Sequence, residues 1–329
     1  MTQYSMPAIR LGRRVIEPAV MLAPMAGVTD WPFRTICRAF GAGYCVGEMT
    51  ASRADLRDTE KSRTRWVEAA EDGLKAVQIL GADPAVMADA ARAAQDAGAD
   101  VVDINMGCPA KKVLSTACGS ALMRDPELID RILAAVTAAV SIPVTLKIRT
   151  GWSPEMKNAE TVARIAEDRG VSMLVVHGRT RADGFRGEAE YDTIAAVKAA
   201  VSIPVVANGD IDSGEKARFV LEKTGADGIM IGRAALGRPW LFQEVAAALA
   251  GRRTEPLNRK QIRETVLKHA RLHFDYYEGR RGWTAMRKHF AYYLRSLPDP
   301  EGLLAQILRA PDGETALALT ERFFDALDR

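Results

Sequence analysis

The sequence predicts an α/β protein, a (β/α)8 TIM barrel followed by a small all-α domain at the C-terminal end. Eight short, near-continuous apolar runs alternate with stretches long enough for helices, the pattern of a parallel sheet covered on both faces. One stretch, residues 134–144, returns almost unchanged 61 residues later at 195–205, so the chain is assembled from recurring units. After Trp240 the composition turns basic and aromatic. A barrel of ~250 residues would leave a tail of that kind in a chain of 329. We therefore place the barrel in residues 1–245 and a helical domain in residues 246–329.

The apolar runs are, in order, residues 19–23, 42–49, 75–80, 101–104, 143–148, 173–177, 204–208 and 228–232. Glycine or proline closes several of them, as Pro24 and Gly27 close the first. Segments such as residues 85–94 lie between them with helical character. The 61-residue repeat corresponds to about two β/α units, and Gly98-Ala99-Asp100 before the fourth run is echoed by Gly225-Ala226-Asp227 before the eighth. Eight such units fit a closed barrel better than a doubly wound sheet, whose strand order reverses. The first run is not followed by G-x-G-x-x-G, which speaks against a dinucleotide-binding Rossmann domain.

Bulk properties narrow the class. A hydrophobic share of 48% supports a sizeable core, and a net charge of +3 is too small by itself to specify a nucleic-acid partner. The four cysteines, Cys37, Cys45, Cys108 and Cys118, include no C-x-x-C pair, so reduced thiols are expected and neither a disulfide framework nor a metal site. Residues 1–5 lack the pattern of a signal peptide, and no apolar run reaches the ~18 residues of a membrane span. A cytoplasmic protein without membrane partners is the expectation. Its oligomeric state is open, with a monomer as the default.

In such a barrel the active site lies at the C-terminal ends of the strands. Here those ends are polar: Ala23-Pro24-Met25, Glu48, Gln78, Asn105 with Cys108, Lys147 with Arg149, His177 with Arg179, Asn208-Gly209-Asp210, and Gly232-Arg233. Each alone has a structural explanation, but their joint placement points to function. Gly107 and Pro109 force a turn that leaves Cys108 at the rim, where a thiol could be nucleophile, proton donor, metal ligand or packing. Glycines just past the seventh and eighth runs expose backbone N–H groups to an anion, and Arg233 adds charge, so a phosphate site is expected there. One phosphate together with Gln78, Lys147 and His177 suits FMN. Gln78 can bond the polar edge of a flavin ring, and Lys147 can stabilise the negative charge that accumulates on reduction. A sugar phosphate would satisfy the spacing equally well.

Residues 252–295 carry twelve Lys or Arg against four acids, with three of the four histidines (His269, His273, His289) and seven aromatics interleaved. This reads either as a solvated helical surface over an aromatic core or as an electrostatic footprint for a polyanion recognised through its phosphates.

The motifs together resemble the tRNA-dihydrouridine synthases, most closely the bacterial B-type, over nearly the whole chain. The matching stretches are Ala23-Pro24-Met25-Ala26-Gly27-Val28-Thr29-Asp30, Val77-Gln78-Ile79-Leu80-Gly81, Asn105-Met106-Gly107-Cys108-Pro109-Ala110-Lys111-Lys112-Val113, Leu146-Lys147-Ile148-Arg149-Thr150-Gly151-Trp152, His177-Gly178-Arg179-Thr180-Arg181, Asn208-Gly209-Asp210-Ile211 and Gly232-Arg233-Ala234. Residues 114–118 depart from the more polar B-type pattern. The resemblance implies reduction of a D-loop uridine in tRNA by FMN, which NADPH reduces. Hydride would go to C6 of the uracil and a proton from Cys108 to C5, since a thiol with a pKa of ~8.5 holds its proton at neutral pH.

The resemblance also distributes roles among the strand ends. Ala23, Pro24, Met25, Gln78, Lys147, His177, Asn208, Gly209, Asp210, Gly232 and Arg233 would bind the cofactor. Glu48, Asn105, Arg149, Arg179, Lys111, Lys112, Arg280, Arg281, Arg287 and Lys288 would face the tRNA, Asn105 at the uracil edge and Arg149 at the base or its phosphate. Arg181 would extend the same cationic surface. The rival reading from the residues is a flavin barrel acting on a free pyrimidine, like a dihydroorotate dehydrogenase. A more distant rival is an RNA-binding protein without catalysis.

Overall fold

The computed structural model describes residues 8–328 apart from 58, 60, 61, 63, 278 and 279, together with all their side chains except those of residues 57 and 280. Eight parallel strands form the barrel: β1 (Val20–Leu22), β2 (Tyr44–Cys45), β3 (Ala76–Leu80), β4 (Val101–Met106), β5 (Val144–Arg149), β6 (Met173–His177), β7 (Val205–Asn208) and β8 (Gly228–Ile231). The hydrogen-bonded order runs β2-β1-β8-β7-β6-β5-β4-β3, and a bridge from Val46 to Ala76 closes the ring between β2 and β3. Inside it, Met21, Tyr44, Val101, Met173, Val206 and Met230 form one cluster. Ile9, Leu11 and Ile16 of an N-terminal hairpin (Ile9–Leu11 with Arg14–Ile16) join that cluster and so plug the barrel.

Strand β2 is shorter than the expected run of residues 42–49. Pairing stops at Val46 and resumes with Thr50–Ala51 against β3, and the break between them carries Glu48.

The helices are α1 (Trp31–Ala39), α2 (Pro84–Asp96), α3 (Pro126–Ala139), α4 (Ala159–Asp168), α5 (Asp192–Ala200), α6 (Gly214–Thr224) and α7 (Leu241–Leu249) around the barrel. Most begin by a local rule. Asp30, Asp83, Asp125 and Ser213 cap α1, α2, α3 and α6 by accepting a backbone N–H two to three residues into the helix, and proline opens α2 and α3. The sequence repeat has a matching bonding pattern. The Gln95 amide oxygen accepts the N–H groups of Ser141 and Ile142, and a Glu167 carboxylate oxygen accepts those of Ser202 and Ile203. Asp100 likewise holds the N–H of Lys75 where β3 begins, as Asp227 holds that of Val205 at β7.

Four further helices follow: α8 (Arg259–Tyr276), α9 (Arg280–Leu294), α10 (Leu303–Arg309) and α11 (Gly313–Leu327). Their core is separate from that of the barrel, built from Val266, Trp283, Phe290, Tyr293, Leu303, Phe323 and Phe324 among others. The tail's aromatics are therefore mostly interior. Several of its cations are also matched, since Arg263 pairs with Asp325 and Arg271 with Glu321 across to α11. The local excess of positive charge is thus smaller in three dimensions than along the chain. Among the described residues, no helix is long and apolar enough to cross a membrane.

Candidate active site

Strand register builds the floor of the site. Gln78 on β3 sits beside Asp103 on β4, and Asp103 beside Thr145 on β5. The Thr145 hydroxyl donates to one Asp103 carboxylate oxygen at 2.5 Å and the Gln78 amide to the other at 2.6 Å. Burial pushes the Asp103 carboxyl up to about 6, against the opposing pull of those bonds and of Lys147. Gln78 in turn accepts from Asn105 at 2.9 Å, and the Asn105 oxygen accepts the N–H groups of Gly107 at 3.2 Å and Cys108 at 3.0 Å. Asn105, expected at a base edge, has thus committed its oxygen to shaping the turn, leaving one amide N–H.

Cys108 is gripped from both sides. Its N–H goes to Asn105, and its carbonyl accepts the N–H and hydroxyl of Ser120 at 3.1 and 2.9 Å. Gly119 makes that approach possible: it has φ +62°, and a Cβ there would lie 2.8 Å from the Cys108 carbonyl oxygen. The thiol is half-buried, and burial raises its pKa, with Arg149 and Lys147 pulling less strongly the other way. It therefore keeps its proton at neutral pH.

Around the thiol the mouth is cationic. Lys147 donates to the Asn208 side-chain oxygen at 2.9 Å, while burial and the nearby Arg149 charge bring its pKa down to about 8. His177 is held neutral by burial and by the surrounding Lys147, Arg149, Arg179 and Arg233. Arg149, only 2% exposed, spans two loops. Its Nε donates to the Gly107 carbonyl at 2.7 Å, and its Nη1 to those of Thr180 and Gly184 at 2.9 and 2.8 Å. It fixes the Cys108 turn against the loop after β6, with Nη2 as the end those carbonyls do not use. Phe185, 55% exposed, lies under both Arg149 (5.4 Å) and Arg233 (5.0 Å). Sequence reasoning missed it, although a lone aromatic between Gly184 and Gly187 in a polar loop was a legible signal.

Two expected ligands turn inward. Arg179, read as part of a cationic surface, is 3% exposed and forks onto Asp210 at 2.9 and 2.5 Å, with the Gly187 carbonyl at 2.6 Å. The Arg179 guanidinium is thereby spent inside the protein. Asp210 also accepts the Ala189 N–H at 2.8 Å, so its side chain is a brace, not a phosphate ligand. Between them Gly209 adopts φ +127°, and a Cβ there would meet Ala189 at 2.7 Å. Gly232 differs. A Cβ on it would meet only Ala23 and Met25 at 3.7 and 3.9 Å, so packing does not demand a glycine and its bare backbone opens a cradle beside the half-exposed Arg233. That opening and the surplus of cations fit an anionic group such as a phosphate.

At the opposite rim Glu48 is buried and committed to the Gly27 N–H and to Arg65, both at 2.8 Å. It braces the loop of Pro24 and Met25, and Lys288 of α9 donates to the Gly27 carbonyl of the same loop. Arg281 and Arg287 lie over the rings of Tyr277 (5.1 Å) and Trp283 (4.9 Å). The Arg280 side chain lies outside the described residues. Lys111 and Lys112 are exposed on a short helix after Cys108.

The sequence profile of the dihydrouridine synthase family matches residues 21–325. The chain belongs to the dihydrouridine synthase family. The "tRNA-dihydrouridine synthase B" of Pseudomonas syringae pv. tomato is 52% identical over 321 residues, 97% of this chain and 95% of its own length. That of Escherichia coli is 47% identical over 318 residues, 96% of this chain and 99% of its own. Among solved structures, an old yellow enzyme homologue from Zymomonas mobilis superposes with a TM-score of 0.53 at 16% identity, covering 73% of this chain and 90% of that one. That likeness is one of fold alone. Within the dihydrouridine synthase family, then, this chain is a closed barrel with a half-buried, protonated thiol at the end of β4.

Proposed function

We propose that this protein reduces a uridine in the D-loop of tRNA to 5,6-dihydrouridine, with FMN as its cofactor and NADPH as the reductant. The observation that carries this reading is Cys108, a thiol held at the barrel mouth by Asn105 and Ser120, its pKa raised by burial, in a chain of this family. Bound and reduced FMN would supply hydride to C6 of the uracil. Cys108 would deliver the proton to C5, work for which a protonated thiol is suited and a thiolate is not.

Backbone at Gly209 and Gly232, with Arg233, would hold the cofactor's phosphate. Lys147, His177, Asn208 and Gln78 would hold its ring, with Ala23, Pro24 and Met25 lining the near side. Lys147 keeps a positive charge where negative charge grows on reduction. The remaining N–H of Asn105 and the free end of Arg149 are the groups left for the base. A base stacked in the tRNA elbow must be extruded to reach them, at a cost of a few kcal/mol. Residues 246–329 would offset this as the tRNA-binding domain, and such a substrate would place the protein in the cytoplasm.

Purified protein reconstituted with FMN, given unmodified tRNA and NADPH, should form dihydrouridine detectable by mass spectrometry. No product under those conditions would overturn the reading. Cys108→Ala should retain bound flavin and tRNA affinity yet lose turnover by about 10²–10⁴. Undiminished turnover would remove the proton donor.

A further inference from the structure

The loops after β5 and β6 hold a cation–aromatic stack that the site above does not use. Trp152 carries two guanidiniums on its indole, Arg181 at 4.2 Å and Arg124 at 5.1 Å from the ring. The backbone fixes the arrangement: the Arg181 N–H donates to Gly151 at 2.9 Å, the Ala182 N–H to Trp152 at 3.0 Å, and the Asn158 amide to Met123 at 2.7 Å. Three loops are thereby tied together at one ring. Among the described residues, neither arginine has a carboxylate within ion-pair distance.

Two like charges on one ring repel, and each gives up part of its hydration to the indole. At the Phe185 stack the arginines are balanced or capped, Arg233 by Asp210 and Arg149 by three carbonyls. The Trp152 stack lacks such an internal partner, which is the signature of a surface that takes its anion from outside. The same surface continues toward Cys108. The turn Gly119–Arg124 that bears Arg124 starts on the Cys108 carbonyl, and the exposed Lys111 and Lys112 follow directly after that cysteine.

Position then selects the ligand. In a ring of eight strands β5 stands opposite β1, and it is the β1 loop that meets the helical bundle through Lys288. A polyanion lying on the bundle and reaching across the mouth arrives at Trp152. Guanidiniums without an internal counter-charge on that path suit the phosphates of an RNA strand.

We propose that Arg124, Trp152 and Arg181, with Lys111 and Lys112, form the far bank of an RNA groove and grip the tRNA strand flanking the extruded uridine. This rests on the proposed reduction of tRNA. The stack holds two phosphates, and its loss is felt in substrate binding before chemistry.

The test uses the full-length FMN-loaded protein and an unmodified tRNA transcript. Arg124→Gln/Arg181→Gln should raise Kd about tenfold or more and reduce the slope of log K against log salt by about 1.4–1.8, the value for two phosphates. The KM for tRNA should rise in step while kcat at saturating tRNA stays within a factor of about two. Lys111→Gln/Lys112→Gln, at exposed positions, provides the same readout should the arginine pair disturb folding. Trp152 fluorescence in the wild type should also change on adding tRNA. An unaltered Kd and salt slope in both double variants would overturn the proposal. So would an unaltered Kd with slower NADPH oxidation in the absence of tRNA, since the stack's anion would then be the nucleotide. A wild type that neither binds nor reduces tRNA would instead refute the proposed function.

Discussion

Asp103, under the barrel mouth, has a donor on each carboxylate oxygen, whereas Asp30, buried between α1 and α8, faces His273 at 2.9 Å with two more histidines behind it. The rings of His269, His273 and His289 lie 4.6–5.8 Å apart, all fully buried. From α1, Phe33 packs on His269 and His289 and Arg34 sits near Asp30. From the bundle, Tyr277 donates to Asp30 at 3.1 Å, Tyr293 lies 3.1 Å from His269, and Lys288 adds a charge. The Asp103 and Asp30 carboxyls are tuned in opposite directions. At the mouth burial raises an acid, to about 6 for Asp103. At the seam burial lowers two bases, His289 to about 3 and His269 well below its ordinary value, while His273 holds Asp30 below the usual carboxylate range despite its burial. The mouth therefore keeps its cations in surplus for a ligand. The seam between barrel and bundle is buried joinery that tolerates one negative charge and resists further protons.

The largest effect that would separate these regions is at the mouth. Asp210→Asn leaves the Arg179 guanidinium buried without a counter-charge and should lower unfolding stability by about 3 kcal/mol in denaturant titrations. An unchanged midpoint would mean the fork is not a brace.

Next comes acid. Native His269 and His289 refuse protons that the unfolded chain accepts near its ordinary pKa of ~6.5, so stability is lost as pH falls below that value, by up to ~1.4 kcal/mol per pH unit for each histidine. Asp103 works the other way. Its native pKa lies above the unfolded 3.8, so its penalty is complete above about 6 and relieved on acidification. The net slope between pH 6.5 and 4 should still follow these two histidines together with His177, which burial and the surrounding cations also keep neutral, and His289→Phe should flatten it in part. A slope indifferent to that substitution would remove His289 as the cause.

The smallest effect belongs to the exposed charges of the bundle. Arg263→Gln breaks a pair with Asp325 on the surface and should cost less than about 1 kcal/mol by thermal melting. A loss as large as that of Asp210→Asn would erase the distinction between buried and exposed pairing.

Much of the fold was legible because a buried parallel strand announces itself as an apolar run, and all eight runs became strands within a few residues. The run at residues 42–49 failed where Gly47 and Glu48 interrupt pairing, since a local pattern cannot show that the chain must leave the sheet to let Glu48 reach Gly27. At the site the sequence located the strand ends but not the direction of long side chains. Arg149 and Arg179 look alike along the chain as cations at a mouth, yet folding brings Arg179 a carboxylate that consumes it and Arg149 carbonyls that leave only its Nη2 free.

The sequence by itself determined the barrel, the place of Cys108 and the family, because strand runs, turn glycines and motif order are local. Tertiary structure alone decided which charges face a ligand. Arg179 meets Asp210 31 residues on, the histidines of α8 and α9 gather at Asp30, and Arg124 and Arg181 share one indole. Such pairings depend on register and loop closure across the barrel, and no spacing along the chain encodes them.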